Sequence, residues 1–199
     1  MAKIDIALIQ QLRERTGLGM MDCKKALEET SGDIEKAIDL LRKKGAAVAA
    51  KRSDKTTAEG IVHAYIHPGA QIGVLLEINC ETDFVARTDA IKELAHNICM
   101  HIAAMKPLYL NWSDVDSAFL EREKGIIKEQ LAKSGKTGQV MEQIIEGKIK
   151  KIYSEICLLD QTYIKNDKFT INQVLQEVIA KTGENIKIAH FARYEVGSK

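Results

Sequence analysis

The run from Ile72 to Ile78 is largely apolar with no breaker after Gly73, and a run of this length reads as a buried strand. The next residues constrain the fold further. Asn79-Cys80-Glu81-Thr82-Asp83-Phe84-Val85-Ala86-Arg87 begins where that strand leaves the core, and Thr88 and Asp89 supply caps for a helix reaching Met105. In that helix Ile91, Leu94, Ala95, Ile98 and Ile102 recur at three- and four-residue steps, which marks one buried face. The helix is expected to lie over the strand, and the connection between them to run over the surface. Phe84 sits in that connection beside Asp83. Two readings of the ring stand side by side: it tucks under the helix as core, as most aromatics do, or it is a wedge for a partner's pocket. In the second reading Asp83 places an acid near a charged site on the partner.

The neighbouring segments complete an α+β core. Gly60 to Ile66 carries Ile61, Val62, Ala64 and Ile66, and His67-Pro68-Gly69-Ala70 is a turn, so this stretch pairs with the run at Ile72 as an antiparallel hairpin. Asn185 to Val196, through Ile186, Ile188, Ala189, Phe191 and Tyr194, reads as a final strand, giving a small sheet of about three strands covered by helices. A helix from Ile171 to Lys181 stops at Thr182-Gly183. Pro107 to Leu110 reads as short and extended. A charged helix near Asp116 to Lys133 carries Phe119, Leu120, Ile127 and Leu131. Met141, Ile145, Ile149, Ile152, Ile156 and Leu159 form a stripe for helix packing, within the domain or across a dimer. The Gly-Lys-Thr-Gly at 135–138 lacks the glycine spacing and strand of a phosphate-binding loop, so no nucleotide site is assigned there.

The first 54 residues read as a separate three-helix bundle and linker, and residues 55–199 as the core domain. Ile4, Leu8 and Leu12, widened by Ile6 and Ile9, give an amphipathic helix broken at Thr16-Gly17-Leu18-Gly19. A second helix runs from Met20 to Thr30; Ser31-Gly32-Asp33 stops it and supplies a cap for a third, buried along Ile34, Ala37, Ile38 and Leu41 and ended by Lys43-Lys44-Gly45. Ala46 to Ala50 has the composition of one further turn. Neighbours on a helix point about a hundred degrees apart, so one of Met20 and Met21 is expected inside and the other outside. Lys51, Arg52 and Lys55 read either as a patch for an acidic surface or as a solvated linker face. The small bundle is expected to hinge there.

Composition excludes several classes. A chain of 199 residues that is 45% hydrophobic and 29% charged belongs with globular proteins. A net charge of +1 argues against tight sequence-independent nucleic-acid binding, which needs many uncompensated cations facing phosphates. The N-terminal Met1-Ala2-Lys3-Ile4-Asp5 opens no apolar leader, and no stretch approaches the roughly eighteen apolar residues of a membrane span, so a cytoplasmic protein is expected. Cys23, Cys80, Cys99 and Cys157 make no CxxC pair and read as small buried hydrophobes. His63 and His67, four apart on an extended strand, are roughly 13 Å apart and do not make a metal pair; no cofactor is expected. His101 has no nearby Ser or Asp in the sequence to make a triad and reads as a core-edge residue. An enzyme using Cys80 as nucleophile is disfavoured, since Glu81 and Asp83 would raise its pKa.

Asn79 to Ala86, Asn-Cys-Glu-Thr-Asp-Phe-Val-Ala, closely resembles the signature of the elongation factor Ts family, nucleotide-exchange factors for elongation factor Tu. Arg15-Thr16-Gly17-Leu18-Gly19-Met20-Met21-Asp22-Cys23 and Gly32-Asp33-Ile34-Glu35 resemble the ubiquitin-associated-like module that opens this family, and Met100 to Met105 and Arg193 to Gly197 match it as well. At Leu158 to Asp167 Thr162 and Tyr163 stand where the family has Pro-Phe, which leaves the turn without proline's fixed backbone angle. The resemblance implies that Thr82, Asp83, Phe84 and Val85 disturb the magnesium region of elongation factor Tu. It implies that Leu18, Met20 and Met21 dock on its nucleotide-binding domain, and it adds His101 as a further contact. The chain has room for one core where longer relatives carry two, so a homodimer is expected, with Phe191 and Tyr194 on a candidate edge. A ubiquitin-associated-like adaptor without exchange activity is the other reading.

Overall fold

The structure, a computed structural model, describes residues 4–133 and 138–198; the interrupting segment Ser134 to Thr137 and the first three residues lie outside the described residues. Asp5 accepts a hydrogen bond from the Ala7 amide and starts helix α1, Ile6–Thr16. Gly17, at φ 66°, ends it by donating its amide to the Arg13 carbonyl at 2.7 Å. Left-handed backbone of this kind favours glycine because it has no Cβ to clash. Helix α2 spans Met20–Glu29, and Asp33, accepting from the Lys36 amide at 3.0 Å, starts α3, Ile34–Arg52. Leu12, Cys23, Ala26, Leu27, Ala37, Ile38 and Leu41 close a core between these three helices. Burying Leu12 and Leu27 completely contributes about 2 to 3 kcal/mol each.

Helix α3 does not stop at Gly45 but runs through the alanines to Arg52. The reason is tertiary. A Cβ built on Gly45 would stand 3.1 Å from the Cβ of Ala180 in α8, Ile171–Thr182. Gly45 is there to let two helices approach.

Strands β1, Glu59–Ile66, and β2, Ile72–Cys80, form the expected hairpin, and β3, Ile186–Glu195, pairs on the other side of β2, giving the order β1-β2-β3. The Val196 amide donates to the Gln71 carbonyl at the start of β2, which makes β3 antiparallel to it. The connection after β2 is not a loop: Asp83–Ala86 form a one-turn helix, α4, before α5, Asp89–Met105. All five apolar positions read from the periodicity of α5 are buried. Helices α6, Ser117–Lys133, and α7, Gly138–Ile156, form a helical hairpin whose core is Ile127, Leu131, Ile145 and Ile149, so the α7 stripe is used inside the chain.

The chain divides into two compact units. One holds the chain up to Val62 with Glu77–Ala95 and Gln173–Ala189; the other holds His63–Leu76, His96–Asn172 and the chain from His190 onward. The strands and α5 each contribute residues to both. In the second unit Arg193 donates to the Ala103 carbonyl from Nε at 3.3 Å and Nη2 at 3.1 Å, occupying an acceptor at the C-terminal end of α5, and the Thr162↔Thr170 bridge closes the turn that lacks proline.

His101 is fully buried in that unit, deeper than a core edge. Its Nε2 donates to Gln161 Oε1 at 2.9 Å, because the Gln161 amide nitrogen is committed to the Glu155 carbonyl at 2.7 Å. Nδ1 in turn accepts from the Ile164 amide at 3.4 Å. This arrangement fits only the neutral ring, since a proton on Nδ1 would face another donor. Burial holds the His101 pKa below its ordinary value, partly offset by Gln161, and burial with the neighbouring His96 does the same to His63. The unfolded chain binds these protons near pH 6.5 and the folded chain only at lower pH, so their stability contribution is complete above that value and is lost as pH falls below it. Urea midpoints are therefore expected to drop from pH 7 towards pH 5.5, with a shallower drop in His101→Gln; a midpoint that rises on acidification contradicts the assignment.

Candidate functional site

The four residues Thr82, Asp83, Phe84 and Val85 lie on or at the start of α4, and the structure shows why that single turn holds its shape. Thr82 is extended at φ -130° and caps the helix, its hydroxyl oxygen accepting from the Val85 amide at 3.4 Å. Thr88 closes the far end by donating to the Val85 carbonyl at 2.7 Å, and accepts from the Ile91 amide at the start of α5. Ala86 is buried and anchors the turn, while Phe84 points away with 81% of its surface exposed. Of the two readings of the ring, the core one is excluded.

Asp83 lies 2.9 Å from Arg87 across the turn. An exposed pair of this spacing is worth about 0.3 to 0.5 kcal/mol, so a competing cation can take the carboxylate over at little cost. Next to the turn, Glu184 accepts from Thr82 twice, from the hydroxyl at 2.7 Å and the amide at 3.1 Å. Glu81 accepts from the Asn185 amide at 2.6 Å and pairs with Arg52 at 3.1 Å. Asn185 reaches on to the carbonyls of Lys55 and Ser53. Arg52 is thus an internal partner of Glu81 and belongs to neither reading of the basic segment, whereas Lys51 and Lys55 are exposed. Sequence periodicity gives no sign of Glu184 and Asn185; residues a hundred positions from the turn leave no local pattern.

The second group also comes together. Leu18 is partly buried against the three-helix core, and Met20 and Met21 are 49% and 61% exposed. The expectation of one methionine inside fails because the buried face of α2 begins at Cys23, leaving its first turn without a surface to pack on. Both groups, 18–21 and 82–85, belong to the same compact unit. His101 belongs to the other and, being enclosed, offers no surface to a partner; its observed role is structural.

Cys80 is buried directly before the turn. Burial, with the carboxylates of Glu184 and Glu59 adding to it, pushes its thiol up to about 11, which leaves almost no thiolate at neutral pH. All four cysteines are buried and free. Among the described residues no group of three or more His, Cys, Asp or Glu is arranged to hold a metal ion, and no helix is long and apolar enough to cross a membrane.

Fold and site together define an α+β protein that displays an exposed aromatic turn, braced from behind, and an exposed methionine-bearing helix start in the same compact unit. Residues 9–198 match the sequence model of the family described as Elongation factor TS. Proteins named elongation factor Ts from Thermotoga petrophila and Thermoanaerobacter pseudethanolicus are 53% and 54% identical to it, each over 98% of this chain and over 97% and 95% of their own length. One from Carboxydothermus hydrogenoformans is 53% identical over 96% of this chain and 88% of its own length. The chain belongs to the elongation factor Ts family.

Proposed function

We propose that this protein is a translation elongation factor that binds elongation factor Tu carrying GDP and promotes GDP release. It does so without covalent chemistry. The observation that supports this best is Phe84, a large apolar side chain kept 81% exposed on a turn hydrogen-bonded at both ends. Apolar surface held out at the expense of burial serves a partner.

The mechanism is reciprocal coupling. A protein that binds the nucleotide-free state better than the GDP state weakens GDP by the same free energy, and each tenfold gain in release needs about 1.4 kcal/mol. Seating one Phe side chain in a pocket contributes about 1.5 to 3 kcal/mol. Asp83, freed from Arg87, disturbs the partner's magnesium-bearing region, while Thr82 and Val85 hold the turn. Residues 1–54 act as a second contact, with Leu18, Met20 and Met21 meeting the nucleotide-binding domain; residues 55–199 are the core. Methionines suit this because their flexible, polarisable side chains adapt to a surface. GTP binding then releases the factor. The setting is cytoplasmic, and neither nucleic acid nor membrane is bound directly. The direct test is stopped-flow release of a fluorescent GDP from elongation factor Tu with and without this protein. No acceleration at saturating factor refutes the proposal.

The working form is a homodimer. β3 is an edge strand, and Ile66, Leu75 and Tyr194 are exposed hydrophobics of the sheet. Sedimentation equilibrium is expected to give twice the chain mass at micromolar concentration; a monomer there refutes this part.

A further inference from the structure

The turn that carries Phe84 is fixed from a distance, and the residues that fix it form one connected set within one unit. Glu81-Thr82 at the exit of β2 faces Glu184-Asn185 at the entry of β3. The two dipeptides exchange bonds: the Glu184 carboxylate takes the Thr82 amide at 3.1 Å, and the Glu81 carboxylate takes the Asn185 amide at 2.6 Å. Arg52, the last residue of α3, supplies the cation for Glu81. What distinguishes Glu184 is its second bond. By accepting the Thr82 hydroxyl proton at 2.7 Å it fixes the direction of that O–H, and the lone pairs that remain include the one facing the Val85 amide. A threonine whose proton is not claimed can rotate it into that space, and the cap on α4 is then lost.

We propose that Glu184 is a positioning residue for the exchange activity, acting on Phe84 through Thr82. Its carboxylate orients the Thr82 hydroxyl, the hydroxyl caps α4, and α4 holds the ring in its protruding position before the partner arrives. The ring's pocket contact forms mainly in the nucleotide-free complex, so holding the ring ready acts on how far a bound factor drives release, while the other docking surfaces, Met20 and Met21 included, are untouched. Glutamine at 184 keeps an acceptor for Thr82 and a group of the same size, so it retains part of the function.

The inference rests on the exchange reading, and a double-mutant cycle separates the two. GDP release from elongation factor Tu is measured against factor concentration for the wild type, Glu184→Ala, Glu184→Gln, Phe84→Ala and Glu184→Ala/Phe84→Ala. Thermal melts run alongside confirm that each variant is folded. Glu184→Ala is expected to lower the maximal release rate about tenfold while the half-saturating concentration moves by less than about twofold. Glu184→Gln falls between it and the wild type, and in the Phe84→Ala background the further loss from Glu184→Ala disappears. A Glu184→Ala rate equal to wild type, a change confined to the half-saturating concentration, or a loss that adds fully to that of Phe84→Ala overturns the proposal. If the wild-type factor itself fails to accelerate release, it is the exchange reading that fails; if it accelerates release and Phe84→Ala does so equally, the wedge is removed and the positioning role falls with it.

Discussion

Phe84→Ala is expected to slow factor-stimulated GDP release from elongation factor Tu by about tenfold or more, with the fold of the factor intact. The magnitude comes from what the ring does in each state. In the free protein it is 81% exposed, so its removal takes almost nothing from the protein's own core and leaves stability within about 0.5 kcal/mol. Seated in a partner's pocket, the same side chain contributes about 1.5 to 3 kcal/mol, most of it in the nucleotide-free complex. A residue whose loss is silent in folding and large in function separates the two experimentally. Stopped-flow traces with fluorescent GDP, read beside a melting curve, give both numbers. Full stimulation by the alanine variant removes the wedge from the mechanism.

Gly60→Ala should produce a large loss of stability for a single added methyl group, about 3 kcal/mol. A Cβ at this place in β1 would overlap the carbonyl oxygen of Ile78 and stand 2.7 Å from Asn79 Oδ1 and 2.9 Å from Asn79 Cα. Those are mostly backbone atoms of the neighbouring strand and cannot swing aside as a side-chain tip can. For a chain of this size each kcal/mol moves the melting temperature by about 2 to 4 °C, so a drop of about 6 to 12 °C is expected by differential scanning calorimetry. The same shift carries the end of β2 with it, and Glu81 and Thr82 come directly after, so exchange should weaken in parallel. An unchanged melting temperature would show that the strands part there without strain.

Several elements were legible because a local pattern and its tertiary use coincide. The α5 periodicity named five of its buried residues, since a helix against a sheet has one face to bury and hydrophobic spacing records it. The hairpin, a cap within Ser31-Gly32-Asp33 and the break at Gly17 were readable for similar reasons: turns and caps need particular residues at particular places. Gly45 shows the limit. A glycine after two lysines has the pattern of a helix stop, yet α3 passes through it, because the missing side chain is needed for contact with Ala180. Local preference is worth about a kcal/mol at such a position and yields to packing. Arg52 and the methionines teach the same lesson at the surface. The pattern could say that Arg52 carries a charge but not that Glu81 waits for it.

The amino-acid order by itself determined the α+β class, the strand and helix either side of residues 79–88, the burial of the cysteines, and the family that the chain resembles, because each of these is written in neighbouring residues. Whether Phe84 lies inside or outside, that both Met20 and Met21 are exposed, and what braces the turn were decided only by tertiary structure. Exposure and long-range hydrogen bonds depend on which segments meet in space, and Thr82 meets Glu184 across 102 positions of chain that no local spacing can bridge.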